Sequence, residues 1–332
     1  MRLRLLAVVV ALVATAALTH TASAADHGAF TQYTFTGPKG SLTYKLYTPP
    51  KRGAHPRDLV VVLPGAGETS DVAATRSRWN EVAERLRFVV AYPEQNVAYN
   101  SSREWDWSTA SKEGRGNREA SLIAGITRAV TARQHLDPRR VFVMGISAGA
   151  GMAGAMAVAF PDLYSGLGIE AGCPFDNVGC AGSSVTADQS AAAVVKAMGR
   201  FRRPLPVFNE YGSVDPIAVG VSSNQVVPSW LTVDDTLDNG RNDGSVSRSP
   251  AQSRLVTPSL PHKPYQSDVY RDRRGCALGV NWFVHGETHA WSGGAQTDAQ
   301  DVNSDPLAPD ATTAMYRFFT SPSTLGGSTH CA

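Results

Sequence analysis

The residues with the clearest chemical potential surround Ser147, in the segment Val141 to Met152 with the sequence VFVMGISAGAGM. A short apolar run precedes Gly145, and an Ala- and Gly-rich stretch continues from Gly149. A serine flanked in this way by two glycines, between a buried strand and a helix, is typical of a nucleophile elbow that exposes the hydroxyl. The pattern predicts nucleophilic catalysis by Ser147, and the alternative is an ordinary turn into a packed helix.

A serine hydroxyl is a weak nucleophile and needs a base, which an acidic side chain in turn orients. In enzymes built on such an elbow, the acid and then the base follow the serine along the chain. His289 is the predicted base because it begins the loop HAWSGG, beyond an apolar strand over 280–284. His285 directly follows that strand, so a structural role is expected for it.

The predicted acid is Asp215, which lies in the turn YGSVDP after the apolar run Leu205 to Phe208. One alternative is a turn-capping role, which is common for an aspartate before proline. The other is a different acid, either Asp234 or Asp235. Those two look helical and solvated, so Asp215 is preferred.

The spacing of His285, Glu287 and His289 also invites a metal interpretation. In the zinc motif H-E-x-x-H, however, the glutamate directly follows the first histidine and the segment is helical. Here Gly286 intervenes and no helix is expected, so neither a metal nor a cofactor is predicted.

Backbone amides can stabilise the oxyanion that forms when a serine attacks an ester carbonyl. The N–H of Ala148, at the start of the helix, faces such an anion. The second donor in this architecture comes from the loop after the first core strand. That loop is Pro64 to Glu68, after Leu59 to Leu63, and the N–H of Ala66 is the predicted donor. The alternative is a plain turn.

Three tryptophans near these segments are candidates for an ester-binding cleft, because flat rings offer a large apolar contact area. They are Trp105, Trp107 and Trp291. The last lies two residues after His289, which favours a place in the cleft. The alternative for all three is packing in the core.

Apolar runs alternate with helical stretches along the chain, which predicts the α/β class with a mostly parallel sheet flanked by helices. A single domain is expected over 25–332, with an antiparallel hairpin over 30–36 and 41–47 at a sheet edge. Residues 239–266 are rich in Gly, Ser, Pro and Asn and interrupt the pattern. Either a lid or a mobile excursion is expected there.

The first residues resemble a secretory signal peptide over 1–24. Arg2 and Arg4 precede an apolar stretch, and Ala22-Ser23-Ala24 forms a cleavage site. A retained anchor is the alternative. Cleavage would leave 29 of the 31 Lys and Arg residues against 29 Asp and Glu. A neutral, exported chain of this kind is expected to bind neither nucleic acid nor, after cleavage, a membrane.

Four cysteines in an exported chain favour two disulfides, for which three connectivities are possible. Pairing Cys173 with Cys180 closes a short loop and leaves Cys276 to tether the tail through Cys331. Free buried thiols are the alternative. A zinc site is not expected, since no C-x-x-C spacing is present.

Several segments together resemble the polyhydroxybutyrate (PHB) depolymerase family of secreted esterases, relatives of feruloyl and acetylxylan esterases. They are Val60 to Gly65, Tyr92 to Gln95, Trp105 to Trp107, Pro138 to Val141, Tyr211 to Asp215 and His289 to Trp291. The resemblance implies a single α/β-hydrolase domain. It also implies that the nucleophile, acid and base are Ser147, Asp215 and His289, with oxyanion donors at Ala66 and Ala148.

The sequence departs from the family pattern at two points. Pro64-Gly65-Ala66 stands where the family usually has His-Gly-Cys, and Tyr211-Gly212 stands where it often has His-Gly. Because the oxyanion donor is a backbone group, the chemistry is expected to tolerate both changes. Many polymer depolymerases of this type also carry a linker and a polymer-binding domain, for which the sequence leaves no room, so solid polymer is a less favoured substrate.

The expected function is that of a secreted serine esterase acting on hydroxybutyrate-type polyesters or oligomers. The alternative within esterases is a feruloyl or acetylxylan esterase that acts on plant polysaccharide. A serine peptidase and a catalytically inactive binding protein are further alternatives. The ester substrate is the only partner that the sequence indicates, and it gives no oligomeric state.

Overall fold

A computed structural model describes residues 28–51, 55–107, 114–176, 185–217, 220–327 and 330–331. The predicted signal peptide over 1–24 and Cys180 lie outside these residues. Within these ranges no helix combines the length and the apolar character needed to cross a membrane.

Strands and helices alternate along most of the chain. The strands are β1 (Ala29–Gly37), β2 (Gly40–Thr48), β3 (Leu59–Leu63), β4 (Val89–Pro93), β5 (Val141–Ile146), β6 (Gly166–Glu170), β7 (Val207–Gly212), β8 (Gln252–Val256), β9 (Tyr265–Arg271), β10 (Ala277–Val284), β11 (Trp291–Ser292) and β12 (Ser304–Asp305). The helices are α1 (Ser70–Ser77), α2 (Trp79–Leu86), α3 (Arg118–Arg133), α4 (Ala148–Ala159), α5 (Ala187–Met198), α6 (Gly220–Ser223), α7 (Val226–Asn239) and α8 (Ala311–Thr320), with a 3₁₀ turn at Gly199–Phe201.

Ten strands form one sheet in the order β1-β2-β4-β3-β5-β6-β7-β10-β9-β8. The six strands from β4 to β10 in this order are parallel to one another. Antiparallel hairpins complete both edges: β1 and β2 on one side, β9 and β8 on the other. The prediction of a mostly parallel sheet is confirmed. The predicted edge hairpin is also present.

The central strands are buried on both faces, as their continuous apolar sequences require. In β3, Leu59, Val61 and Leu63 belong to the core beneath α3, α4, α5 and α7. Val60 and Val62 belong to a second core beneath α1, α2 and α8. Side chains alternate between the faces of a strand, so a strand covered on both sides must be apolar throughout.

The segment over 239–266 contains regular structure, and its role as a lid stays a prediction. Its second half contains β8, which pairs with β9 through five residues at the edge of the sheet. The loop between α7 and β8 is fixed by Asp235, whose carboxylate accepts hydrogen bonds from the backbone of Gly244 and Val246. The low apolar content reflects an edge strand that faces solvent.

A disulfide joins Cys276 to Cys331, with a separation of 55 residues along the chain. This predicted pair therefore occurs in the structure. The other predicted pair includes Cys180, outside the described residues, and stays a prediction. Together with the bridge between Ala277 and Thr324, the disulfide fixes the tail beside the start of β10.

Candidate active site

The carboxyl edge of the sheet brings the three candidate side chains together. Strands β5, β6, β7 and β10 are parallel neighbours, so their carboxyl ends lie at the same edge. Ser147 directly follows β5, Asp215 follows β7 after two residues, and His289 follows β10 after four. The expected order of serine, acid and base thus follows the order of the strands β5, β7 and β10 across the sheet.

Ser147 occupies a backbone conformation that serine rarely adopts, with φ of 55° and ψ of −123°. The flanking glycines make this turn possible, because a Cβ at Gly145 would lie 2.4 Å from the backbone of Gly149. A Cβ at Gly149 would lie 2.0 Å from the carbonyl oxygen of Leu63. The turn is a strained strand-to-helix elbow that the close approach of three backbone segments enforces.

His289 and Asp215 form a direct hydrogen bond of 2.8 Å between Nδ1 and Oδ2. The carboxylate of Asp215 is buried, and its Oδ1 accepts a hydrogen bond of 2.8 Å from the N–H of Ile217. Asp215 therefore caps its turn and orients the imidazole at the same time. A proton on Nδ1 leaves Nε2 as the basic nitrogen.

The Nε2 atom of His289 is buried and has no hydrogen-bond partner among the described residues, Ser147 included. Hydrogen bonds between a nucleophile and its base commonly tighten only when substrate binds. His285, by contrast, is exposed and its backbone N–H donates to Pro264.

The two alternative acids lie elsewhere. Asp234 and Asp235 are helical, as expected, but both are buried within α7 rather than solvated. The polar character of the segment suggested exposure, whereas Asp235 is enclosed by the loop that it caps. Neither is hydrogen-bonded to His289.

The loop after β3 leaves one backbone amide available. The N–H of Gly65 donates to Glu68 Oε2, that of Gly67 to Ser102 and that of Glu68 to Gly65. The N–H of Ala66 has no acceptor among the described residues, and Ala66 is exposed. The N–H of Ala148 lies at the first position of α4, where helical amides lack an intrahelical acceptor.

An ion-pair chain that sequence reasoning missed connects this loop to the segment after His289. Arg76 donates from Nη1 to Glu68 Oε1 over 2.6 Å and from Nε to Asp301 Oδ2 over 2.9 Å. Glu68 accepts the N–H of Gly65 with its other oxygen. Glu68 and Arg76 are eight residues apart, but Asp301 lies 225 residues from Arg76 in sequence and no motif marks the pair, so only the fold reveals the chain.

Three buried glutamates were also missed: Glu170, Glu210 and Glu287. A signal for Glu170 exists in the sequence, since it ends the otherwise apolar strand GLGIE, whereas Glu210 follows Asn209 in the mixed strand VFNEYG. A charged residue in such a strand is rare without a specific partner.

The three tryptophans have different environments. Trp291 is 1% exposed, and its indole N–H donates to Thr312 over 2.8 Å. It packs in the core beneath α1 and α8, so the expected cleft position is wrong. Trp291 begins the short strand β11 and belongs to the same core cluster as buried residues of α1 and α8.

Trp105 and Trp107 lie in the segment between β4 and α3. Trp105 is also buried and donates its indole N–H to the carbonyl of Pro64 over 2.9 Å, which supports the loop containing Ala66. Trp107 lies over the first turn of α4, where a Cβ at Gly151 would come within 2.4 Å of the ring. Both residues line a cavity of about 590 Å³ with a largely polar wall.

One group of three residues with potential metal ligands comes together in the described part of the chain: Cys276, His330 and Cys331. The two sulfurs are joined to each other in the disulfide. No thiolate is left to bind a metal, so this group is structural.

The chain matches the family described as Esterase PHB depolymerase over residues 42–245. It is 29% identical over 236 residues to poly(3-hydroxyalkanoate) depolymerase C of Paucimonas lemoignei, covering 70% of this chain and 54% of that protein. It is 28% identical over 214 residues to a probable acetylxylan esterase A of Aspergillus fumigatus, covering 60% and 56%. The chain thus spans about half the length of these curated relatives.

Among solved structures, the acetyl xylan esterase from Aspergillus awamori superimposes with a TM-score of 0.62 and 20% identity. The match covers 78% of this chain and 94% of that structure. At this level of identity the similarity establishes a shared fold, the α/β-hydrolase fold.

Proposed function

Because the chain belongs to the PHB depolymerase family of esterases, we propose that it is a serine esterase whose catalytic residues are Ser147, Asp215 and His289. The observation that carries the proposal is the 2.8 Å bond between His289 Nδ1 and Asp215, which leaves Nε2 as the base at the edge that holds the elbow. No other described histidine is hydrogen-bonded to a carboxylate.

In the proposed mechanism, Ser147 Oγ attacks the ester carbonyl while His289 Nε2 accepts its proton. The backbone N–H groups of Ala66 and Ala148 bind the oxyanion, and the departing alcohol takes the proton from the imidazolium. Water, deprotonated by the same Nε2, then attacks the acyl-serine and releases the carboxylic acid. Asp215 remains ionised and stabilises the imidazolium in both steps.

The first test compares wild type and Ser147→Ala with short-chain nitrophenyl esters. The substitution removes the nucleophile and should lower kcat by about 10³-fold or more. A fluorophosphonate probe should label the wild type and leave Ser147→Ala unlabelled. Equal hydrolysis by both proteins would exclude the mechanism, and wild type that neither reacts nor is labelled would indicate an inactive binding protein. Activity on casein would point to a peptidase.

We propose an aliphatic hydroxyacid polyester, or its soluble oligomers, as the substrate. The family match and the name of the Paucimonas relative support this choice. The acetylxylan esterase relatives support the second candidate, an acylated plant polysaccharide. Turnover of hydroxybutyrate oligomers measured against acetylated and feruloylated xylan, at equal ester concentration, separates the two.

Trp107 is the aromatic residue that we propose to contact the substrate, since its ring lies over the first turn of α4, directly after Ser147. Trp105 instead supports the loop of Ala66 through its bond to Pro64. Trp107→Ala should therefore raise KM more than it lowers kcat. An unchanged KM for both classes of ester would remove Trp107 from the substrate site.

We further propose that the protein is exported and that residues 1–24 are removed. The disulfide between Cys276 and Cys331 supports this proposal, because such bonds persist in oxidising compartments. N-terminal sequencing of protein recovered from culture medium should begin at Ala25. Protein that stays with the cells and retains residue 1 would contradict it.

A further inference from the structure

Three glutamate side chains are buried together behind the candidate active site. Glu170 ends β6 and is paired in register with Glu210 on β7, so their side chains project from neighbouring strands. Glu287 lies in the loop between β10 and His289. All three residues are fully buried, and the carboxyl of Glu210 contacts those of both Glu170 and Glu287.

The same residues hold the segments that carry the candidate triad. The carbonyl of Glu170 accepts the N–H of Ser147 over 3.1 Å, and its Oε1 accepts the N–H of Ser292 over 2.6 Å. The carbonyl of Glu287 accepts the N–H of Val214, the neighbour of Asp215, over 3.0 Å. Glu210 connects these two anchoring residues through its carboxyl group.

The contacts between the three carboxyl groups determine how many protons these groups must hold. In the described part of the chain no N–H group and no hydroxyl donates to either carboxyl oxygen of Glu210. Two ionised carboxylates in contact repel each other, whereas a proton shared between them makes a hydrogen bond. The two contacts of Glu210 therefore need two protons among three carboxyl groups, which leaves one negative charge.

We propose that Glu170, Glu210 and Glu287 share two protons and, in that state, hold the loop of His289 against the elbow of Ser147. They are thus positioning residues for the esterase mechanism proposed above, on which this inference rests. They touch no substrate. Their effect on the reaction passes through the placement of Ser147 and His289.

Burial supports this proton count. Desolvation, together with the neighbouring carboxyl groups, raises the pKa of Glu170 and Glu210 well above the ordinary range. Desolvation raises the pKa of Glu287 to about 7. The other charged groups that act on the cluster are Asp310 toward Glu170, and Asp305 and Lys263 toward Glu287. Lys263 bonds to both Asp305 and the carbonyl of Gly286, so its charge is already balanced.

The sign of the pH effect follows from these raised pKa values. Unfolded glutamates lose their protons near pH 4.3, while the folded cluster retains two. Stability therefore falls as the pH rises above 4.3, until the folded cluster titrates as well. When the folded cluster loses one of its two shared protons, it gains a second negative charge, and the repulsion releases the loop of His289. The value of kcat should therefore decline at alkaline pH.

The test compares wild type with Glu210→Gln and Glu210→Ala. The side-chain amide of glutamine can donate to one of the two neighbouring glutamates and accept from the other. Both contacts of residue 210 then persist, and the cluster needs only one shared proton instead of two. Glu210→Gln should keep kcat at pH 7 within about 3-fold and move its alkaline decline to higher pH. Glu210→Ala should lower kcat by about 10-fold or more with little change in KM, because the substrate contacts remain.

The matched control is Asp234→Asn, which neutralises another buried carboxyl group of raised pKa, on α7 and away from the catalytic edge. It should change the pH dependence of the unfolding temperature and leave the pH profile of kcat as in wild type. A profile of Glu210→Gln that superimposes on wild type would overturn the inference. If Glu210→Ala does not fold, the pH profiles of Glu210→Gln and wild type still test the inference.

Failure of the proposed function has a different signature. If the wild type hydrolyses no ester, the esterase proposal fails, but the unfolding temperature of Glu210→Gln remains measurable. Proton sharing predicts that this variant loses less stability than wild type between about pH 5 and pH 8. Equal slopes for the two proteins would refute the proton sharing independently of any activity.

Discussion

His289 can act as a base because Asp215 determines which of its nitrogens carries the proton. The bond between Nδ1 and the carboxylate fixes both the tautomer and the ring plane. Asp215 is itself fixed by the N–H of Ile217 and is buried, so its position does not depend on solvent. The capping role and the catalytic role, which are alternatives from the sequence, are compatible because a carboxylate has two oxygens.

Asp215→Asn should lower kcat by about 10⁴-fold. An amide NH₂ group in the place of Oδ2 donates to Nδ1 of His289, which favours the tautomer with the proton on Nε2. KM should change little, since Asp215 does not reach the substrate. Steady-state kinetics with a nitrophenyl ester measure both constants. His285→Ala is the control, because this exposed residue makes no bond to the triad, and it should behave as wild type. A kcat near that of wild type for Asp215→Asn would remove Asp215 from the mechanism.

At the scale of elements, α1 links the loop Pro64 to Glu68, which contains the proposed oxyanion donor Ala66, to the loop after His289. Arg76, on α1, binds Glu68 of the first loop and Asp301 of the second. Burial opposes ionisation of Asp301, but the hydrogen bonds from Arg76 and from backbone amides lower its pKa to about 2. This carboxylate therefore contributes stability above pH 4, which is lost as the pH falls toward 2.

Arg76→Met should destabilise the protein by about 3–5 kcal/mol, because two buried carboxylates lose their partner. Since Glu68 also holds Gly65 beside the proposed donor Ala66, kcat should fall by about 10-fold or more. Urea unfolding and ester kinetics check the two effects. Arg57→Met removes an exposed arginine from Asp137, which keeps its ion pair with Arg139, and should cost about 1 kcal/mol or less without affecting kcat. An Arg76→Met protein as stable and active as this control would show that the chain of ion pairs has no role.

At the scale of the whole molecule, the disulfide and the candidate triad lie at opposite edges of the sheet. The disulfide joins the tail to Cys276, directly before β10, whereas His289 follows the other end of that strand. The disulfide holds the tail beside the start of β10, and the bond restricts mainly the unfolded chain.

Replacing Cys276 and Cys331 together by serine should lower the free energy of unfolding by about 4 kcal/mol, the loop-entropy value for a separation of 55 residues. Ester hydrolysis at 25 °C should remain as in wild type, since the catalytic edge is not touched. Urea unfolding of the double variant, and of wild type with reductant, measures the effect. A loss of kcat without a loss of stability would contradict the separation of the two edges.

The elements that the sequence predicted well are those in which local pattern and burial agree. The continuous apolar residues of β3 and β5 allow only a strand covered on both faces, and the structure contains both. The helical segment after β3 is divided into two helices, α1 and α2, because Arg78 adopts φ of 57° between them. No pattern in the sequence predicts a left-handed backbone conformation at an arginine. In the structure the side chain of Arg78 donates hydrogen bonds to Glu81 and to the carbonyl of Gly293.

The sequence predictions were wrong where they inferred a residue's position in the fold from polar composition or from closeness in sequence. Residues in β8 are exposed and polar, so they resembled a loop, yet the backbone of β9 gives them a partner. Trp291 is close to His289 in sequence but lies on the other side of a turn, in the core. In both cases the deciding contact comes from a segment distant in the chain.

The sequence by itself determined the α/β class, the family and the candidate elbow, because these depend on apolar runs and on glycines between neighbouring segments. Only the tertiary structure decided that Asp215 bonds His289, that Arg76 joins the two loops and that three glutamates meet behind them. The physical reason is that hydrogen bonds and shared protons depend on distances of a few ångströms between residues far apart in the chain. Those distances are set by the register of parallel strands, which no local pattern encodes.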